Sequence, residues 1–166
     1  MSAASVGGGS HHPAEDQSQA TTELYQQVIL DHNRSPRNWG VVEHATHRAD
    51  GYNPLCGDRY TITVRVGEDG TIAEIGVDGA GCAISKASAS MMTEAVKGRS
   101  LAEAQELFEQ FHTLVTGDAA EQAGAALGKL RVFSGIAEFP ARVKCAILSW
   151  HALQGALEGK EVASTE

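Results

Sequence analysis

The sequence predicts an α+β fold: an N-terminal helix, a small antiparallel β-sheet of about three strands, then several packed helices. Three observations predict it. Between Tyr60 and Val77 apolar residues alternate with a period of two, the mark of half-buried strands. From Cys82 onward apolar positions recur at helical spacing, with stops at Gly98 and Gly117. No βαβ alternation and no internal repeat appears, so strands and helices are segregated along the chain.

Ordered structure is expected to begin at Thr21-Thr22, a cap for a helix carrying Leu24, Tyr25, Val28 and Ile29. That helix runs out around Asp31-His32-Asn33, and Arg34 to Gly40 reads as an ordered loop around Pro36. A strand is expected around Arg48 to Tyr52. Ile62, Val64 and Val66 then form one face of a strand, Gly67-Glu68-Asp69-Gly70 is turn material, and Thr71 to Val77 returns as a hairpin partner. Cys82 to Lys97 is helical and rich in small residues. Ser100 with Glu103 makes a capping box for a helix whose buried stripe is Leu101, Ala104, Phe108, Phe111 and Val115. Asp118 and Glu121 suggest a shorter helix ending near Gly128, and Lys129 to Phe139 is left ambiguous. Pro140 suits the first position of a last helix holding Val143, Ile147, Trp150, Leu153 and Leu157.

The expected organisation is a disordered tail over residues 1–20, one domain over 21–160 and a flexible end over 161–166. With 166 residues, 42% hydrophobic, the chain can bury a core of its own, and with 5% aromatic that core leans on Ala, Val, Ile and Leu. The formal net charge of −8 and the lack of any basic run argue against nucleic acid as a partner. No apolar run is long enough to cross a bilayer. The first twenty residues lack the basic and apolar regions of a secretory signal, so the expected compartment is the cytoplasm, where thiols stay reduced. His11-His12 lies in the tail and reads as solvated. His44 and His47 read as surface residues, and Met91-Met92 as core.

Three cysteines is an odd number for disulfides. Cys56 shares the loop NPLCGDRY with Asp58, Cys82 opens a helix after Gly79-Ala80-Gly81, and Cys145 lies in the first two turns of the last helix. Unpaired N–H groups at helix starts favour thiolates, so Cys82 and Cys145 are expected in thiolate-friendly places. If Cys56, Asp58, Cys82 and Cys145 converge, three sulfurs and one oxygen suit tetrahedral Zn²⁺. Arg59, Lys86, Arg142 and Lys144 stand within four residues of these ligands and would offset their charge. The competing reading is three buried core thiols, since the spacing lacks the paired C-x-x-C of a zinc signature. No histidine neighbours a cysteine in sequence, and GVDGAGCA lacks the Lys-Ser/Thr of a phosphate loop.

The chain resembles a known family, the U-type iron–sulfur assembly proteins, whose branches include IscU, the NifU N-terminal domain and SufU. DHNRSPRNWG (Asp31 to Gly40) resembles the family's first-helix exit. NPLCGDRY, GAGCAISKASASMMTEAVKG (Gly79 to Gly98) and FPARVKCAILSW (Phe139 to Trp150) resemble its three cysteine motifs. Two departures from IscU select the branch. Lys144 stands where IscU has a histidine before the third cysteine, and the stretch between Cys82 and Cys145 is longer. Both features, with Gly57-Asp58-Arg59 and Pro140-Ala141-Arg142, resemble SufU.

That resemblance implies a zinc-bound sulfurtransferase with Cys56, Asp58, Cys82 and Cys145 as metal ligands. Cys56 is the implied persulfide acceptor and Arg142 an arginine flanking the site. The implied partners are a SufS-type cysteine desulfurase and the downstream SUF assembly proteins. On docking, a desulfurase side chain would displace a ligand from zinc and free Cys56 to attack the donor persulfide. Two alternatives stand beside it: a scaffold assembling a [2Fe–2S] cluster on the same cysteines, and a structural zinc module that only binds partners.

Overall fold

The computed structural model describes residues 23, 26–117, 127–159 and 162–164. The expected tail with His11-His12, the cap at Thr21-Thr22 and the short helix begun by Asp118 lie outside these residues. Helix α1 covers residues 26–34. Three strands follow, β1 (His47–Asn53), β2 (Asp58–Val66) and β3 (Ile72–Ala80), then α2 (Ala83–Val96) and α3 (Leu101–Thr116). A 3₁₀ stretch, Gly128–Glu138, resolves the ambiguous segment, and α4 (Pro140–Leu157) closes the helical half. A short strand β4 (Val162–Ser164) comes last. The expected α+β order, strands first and packed helices after, is the observed one.

β1, β2 and β3 form an antiparallel meander, with Asn53 opposite Asp58 at one end and Arg59 opposite Ala80 across the next pair. β4 adds to the outer edge of β1 in parallel, giving the order β3-β2-β1-β4. Residues 162–164 thus fall inside the segment expected to be a flexible end. β1 is otherwise an open edge whose N–H and C=O groups need partners, and the returning chain supplies them. At the opposite edge Gly40 N–H donates to Val77 O (2.7 Å) and Val77 N–H to Asn38 O (3.1 Å), so the loop after α1 covers β3.

The strands alternate as their sequence demands: Ala49, Gly51 and Asn53 of β1 are buried while Arg48, Asp50 and Tyr52 are exposed. The buried face lies against α4. A Cβ at Gly51 would stand 2.9 Å from Ala152 Cβ, so glycine is what lets α4 approach this closely. α2, whose small residues Ala87, Ser88, Ala89 and Ser90 are all buried, runs through the interior. Ser88 Oγ donates to Ala146 O (2.5 Å) and accepts from Trp150 Nε1 (3.2 Å), tying α2 to α4. Trp150 stacks on Phe111 of α3 at 4.6 Å, and Phe133 of the 3₁₀ stretch meets Phe111 edge-on. Burying a side chain such as Phe111 contributes about 1.5–3 kcal/mol. The Ser100–Glu103 capping box forms, Gly117 closes α3 at φ 85°, and Pro140 is the first residue of α4, each as expected.

Candidate metal centre

The turn from β1 to β2 is built by its own polar atoms. Asn53 O accepts from Cys56 N (3.3 Å) and Gly57 N (2.8 Å), and Asn53 Oδ1 accepts from Leu55 N (3.2 Å). Gly57 adopts φ +73°, a left-handed conformation that glycine reaches without strain. This turn leaves Cys56 exposed at its tip and buries Asp58, 1% exposed, at the first position of β2.

The second cysteine arrives from β3. Asp58 Oδ1 accepts from Cys82 N–H at 2.9 Å, and Cys82 is the N-cap of α2, its sulfur accepting from Ser85 N (3.4 Å). Ser85 Oγ donates to Cys82 O (3.1 Å) and bonds the Tyr60 hydroxyl (2.8 Å). Burial pushes the Tyr60 hydroxyl well above its ordinary pKa, with the Ser85 bond opposing, so it stays a neutral donor. The chain can pass here only as glycine. A Cβ at Gly81 would fall 2.4 Å from both Ser85 Oγ and Tyr60 Oη, and 2.7 Å from Asp58 Oδ1.

Cys145 is buried in the second turn of α4, with its sulfur 3.4 Å from Cys56 Sγ. Asn53 Nδ2 donates to it across 3.8 Å, within reach of a large sulfur acceptor. The expectation that a helix start would favour its thiolate is corrected. As the sixth residue from Pro140, Cys145 lies beyond the first turn of unpaired N–H groups. Burial, then the neighbouring Cys56 sulfur and Cys82, push its thiol far above the ordinary range.

The thiol sulfurs of Cys56 and Cys145 and a carboxylate oxygen of Asp58 lie within 4.8 Å of one another. Asp58 Oδ2 is buried and has no hydrogen-bond partner. A buried carboxylate oxygen left bare beside two thiols is a poor arrangement without a cation and a fitting one with it. The spacing agrees. Two sulfurs bound to a tetrahedral zinc lie about 3.8 Å apart, close to the 3.4 Å found. Of the four residues expected to converge, three do so directly. Cys82 stands beside them through its N–H on Asp58, with its sulfur turned to Ser85.

The expected compensating cations sit differently. Arg59 lies over the Tyr52 ring (5.7 Å) and Lys86 over the Trp39 ring (5.5 Å). Arg142 is exposed in the first turn of α4, and none of the described ion pairs joins Arg59, Lys86, Arg142 or Lys144 to Asp58. Two contributors escaped the sequence reading: Asn53, which bonds both the Cys56 turn and the Cys145 sulfur, and the Tyr60–Ser85 pair behind Cys82. Asn before Pro reads as an ordinary turn, and period-two alternation marks Tyr60 only as a core residue.

Residues 24–157 match the family described as the NifU-like N terminal domain. The chain is 42% identical over 139 residues to the zinc-dependent sulfurtransferase SufU of Bacillus subtilis, covering 83% of this chain and 92% of the relative. It is 40% identical over 135 residues to the iron–sulfur cluster assembly scaffold protein IscU of Streptococcus pyogenes, covering 81% and 83%. Among solved structures, one from Fervidobacterium islandicum is described as an iron–sulfur cluster assembly scaffold protein for the SUF system. It superimposes with TM-score 0.74 at 31% identity, covering 81% of this chain and 97% of that one.

Proposed function

Since the chain belongs to the NifU-like N-terminal domain family, we propose that it is a sulfurtransferase of iron–sulfur cluster assembly. It takes persulfide sulfur from a SufS-type cysteine desulfurase onto Cys56 and passes it to downstream SUF proteins in the cytoplasm. One observation supports this above others: an exposed thiol on a turn, Cys56, lies 3.4 Å from a buried thiol, Cys145, and within 4.8 Å of the carboxylate of Asp58, which is buried with one oxygen bare. The relative with 42% identity, named a zinc-dependent sulfurtransferase, supports the same reading.

Cys56, Asp58 and Cys145 would hold zinc, with Cys82 as fourth ligand once its sulfur turns from Ser85. Bound zinc supplies the positive charge that keeps clustered thiols deprotonated at neutral pH. Cys56 is the member that can move, because it rests on a turn while Cys145 is fixed in a helix and Asp58 in a strand. Its thiolate attacks the outer sulfur of the donor's persulfide. The donor's S–S bond breaks, its cysteine leaves as a thiolate, and the outer sulfur with its proton stays on Cys56 as a new persulfide. Arg142, exposed one turn before Cys145, offers a cation to the thiolate that leaves the donor.

The test is sulfur placement together with metal analysis. Given desulfurase and cysteine, the wild type is expected to gain one sulfur on Cys56, found by peptide mass spectrometry, while carrying one zinc per chain. Cys56→Ser loses that sulfur but keeps the fold. A persulfide on another cysteine overturns the assignment. A stable visible chromophore after anaerobic reconstitution with iron and sulfide, without sulfur uptake on Cys56, establishes the cluster scaffold instead.

A further inference from the structure

The described histidines differ in how their ring nitrogens are used. His32 Nδ1 meets Ser90 Oγ at 2.7 Å, and His47 Nδ1 meets Thr46 Oγ1 at 2.8 Å. His112 of α3 and His151 of α4 make no hydrogen bond and no ion pair among the described residues. Yet they are close neighbours. Their ring centres lie 6.3 Å apart, and both rings stand edge-on to Phe108, at 6.1 and 5.2 Å. Phe108 is buried and forms an apolar wall behind the pair. His112 is exposed and His151 half-buried, so the pair is reached from solvent.

Histidine binds metal ions as the neutral imidazole. Burial first, and then His112, hold the His151 pKa below its ordinary value of 6.5, so its ring is neutral at physiological pH. Two imidazoles bound to one ion at about 2.0–2.1 Å per bond have ring centres about 5.3 Å apart at the tetrahedral angle and about 6.5 Å apart when opposed. The observed separation lies within that reach, and the exposed His112 ring is free to adjust. α3 and α4 are already held together by the stacked Phe111 and Trp150, so binding has little helix freedom left to remove. The pair is also separate from the cysteine centre. His151 lies beyond Cys145 by about 9 Å along α4 and about 120° around it.

We propose that His112 and His151 form a second metal site, a clasp between α3 and α4 that takes a divalent transition ion such as Ni²⁺ or Zn²⁺. Water completes the coordination, and no thiolate takes part. With two neutral imidazoles in place of sulfur and carboxylate, the site is weaker than the cysteine centre. An ion held there binds the folded chain and not the unfolded one, so it stabilises the helix pair. Neither histidine enters the sulfur-transfer reading above.

The probe is Ni²⁺, added at about pH 7.5, where unperturbed imidazoles are mostly neutral. The protein is zinc-loaded and carries His11→Gln and His12→Gln, so that the N-terminal pair does not compete. Nickel is paramagnetic and broadens the NMR signals of the groups that bind it. The ring signals of His112 and His151 are expected to broaden together, before those of His44 and His47. The melting temperature should rise with added Ni²⁺. His112→Gln changes an exposed side chain and should leave the fold intact. Its Ni²⁺ affinity should fall at least about tenfold, the least that loss of even an outer-shell partner costs. His151 should then stay sharp at the nickel concentration that broadened it before, and the rise in melting temperature should vanish. Broadening of His112 alone reduces the pair to one surface imidazole and overturns the proposal. Equal affinity in His112→Gln overturns it as well. So does a thiolate-to-nickel charge-transfer band with no change at His151, which places the ion on the cysteines.

Discussion

Two buried polar clusters lie along α2, and they are built on opposite principles. Near the middle of the helix, His32 of α1 is 3% exposed and its Nδ1 meets Ser90 Oγ at 2.7 Å. Ser90 Oγ also accepts from Arg37 N–H (2.8 Å), while Thr93 Oγ1 donates to Ser90 O (2.6 Å) and accepts from Asn38 Nδ2 (3.0 Å). Each side chain there finds its partner within the chain. At the start of the helix, Asp58 has a bare oxygen and the Cys145 thiol is driven up by burial and by its neighbours. The only other buried side-chain N or O atom without a partner among the described residues is Ser149 Oγ, a neutral hydroxyl inside α4. A satisfied cluster fastens segments together. An unsatisfied, negatively disposed one is the arrangement of a site that binds a cation.

The largest expected effect separates the two clusters by sign. Asp58→Asn keeps an oxygen for the Cys82 N–H but removes the buried charge. Zinc affinity, measured by chelator competition, is expected to fall by more than about 100-fold, beyond the range that loss of an outer-shell contact produces. The metal-free variant should melt at a higher temperature than metal-free wild type, because an uncompensated buried carboxylate is gone. A metal-free melting temperature that falls would show that the site is held together by Asp58 rather than strained by it.

This contrast explains what the sequence made legible. Period-two alternation located β2 and β3, and the Ser100–Glu103 box and Pro140 located two helix starts, because these signals act within a few residues. β4 was invisible, since a three-residue strand depends on the edge that β1 offers and not on its own pattern. In the site, Cys56 and Asp58 were legible as neighbours in one turn. The juxtaposition of Cys145 with Cys56 was a conditional reading that the family resemblance then implied, because it depends on how α4 packs across β1. Asn53 and Ser85 were missed for the same reason: their partners lie far off in sequence or in the backbone. The helix-start argument for Cys145 was misplaced, because unpaired N–H groups act over one turn and Cys145 lies in the second.

Ser90→Ala attacks the closed cluster. It leaves His32 Nδ1 as a buried orphan, which costs about 1–3 kcal/mol, while the part-buried Arg37 N–H can turn to water. Denaturant unfolding should show a loss in that range, with zinc affinity unchanged. Any loss of zinc affinity would mean that the two ends of α2 are coupled, which the separate hydrogen-bond networks do not suggest.

The closed cluster also has a pH limit. Burial first, then the Arg37 charge, hold the His32 pKa below its ordinary value of 6.5, while Glu94 and Asp31 oppose them. The unfolded chain therefore takes up a proton before the folded one does. The His32 contribution is complete above about pH 6.5 and is lost as pH falls from there through the folded value. His151, lowered by burial and by His112, has the same sign. Thermal melts at about pH 7.5 and about pH 5 should show a smaller acid loss in His32→Gln than in wild type, with His151 and other groups supplying the remainder. Equal acid losses would remove His32 from the account.

At the rim of the same cluster, Arg37 reaches outward to Asp31 at 2.6 Å, and this bond holds the Asp31 carboxyl below the usual carboxylate range. The pair looks strong by distance, but Asp31 is exposed, so water and salt compete for both charges. Asp31→Asn is therefore expected to leave the melting temperature nearly unchanged at physiological salt, with any difference shrinking further as salt is raised. Arg37 keeps its backbone bond to Ser90 in that variant, and this bond anchors the loop. A large, salt-independent loss in Asp31→Asn would show that the closed cluster extends to the surface. α1 would then be fastened by charge as well as by the buried bonds between His32, Arg37 and Ser90.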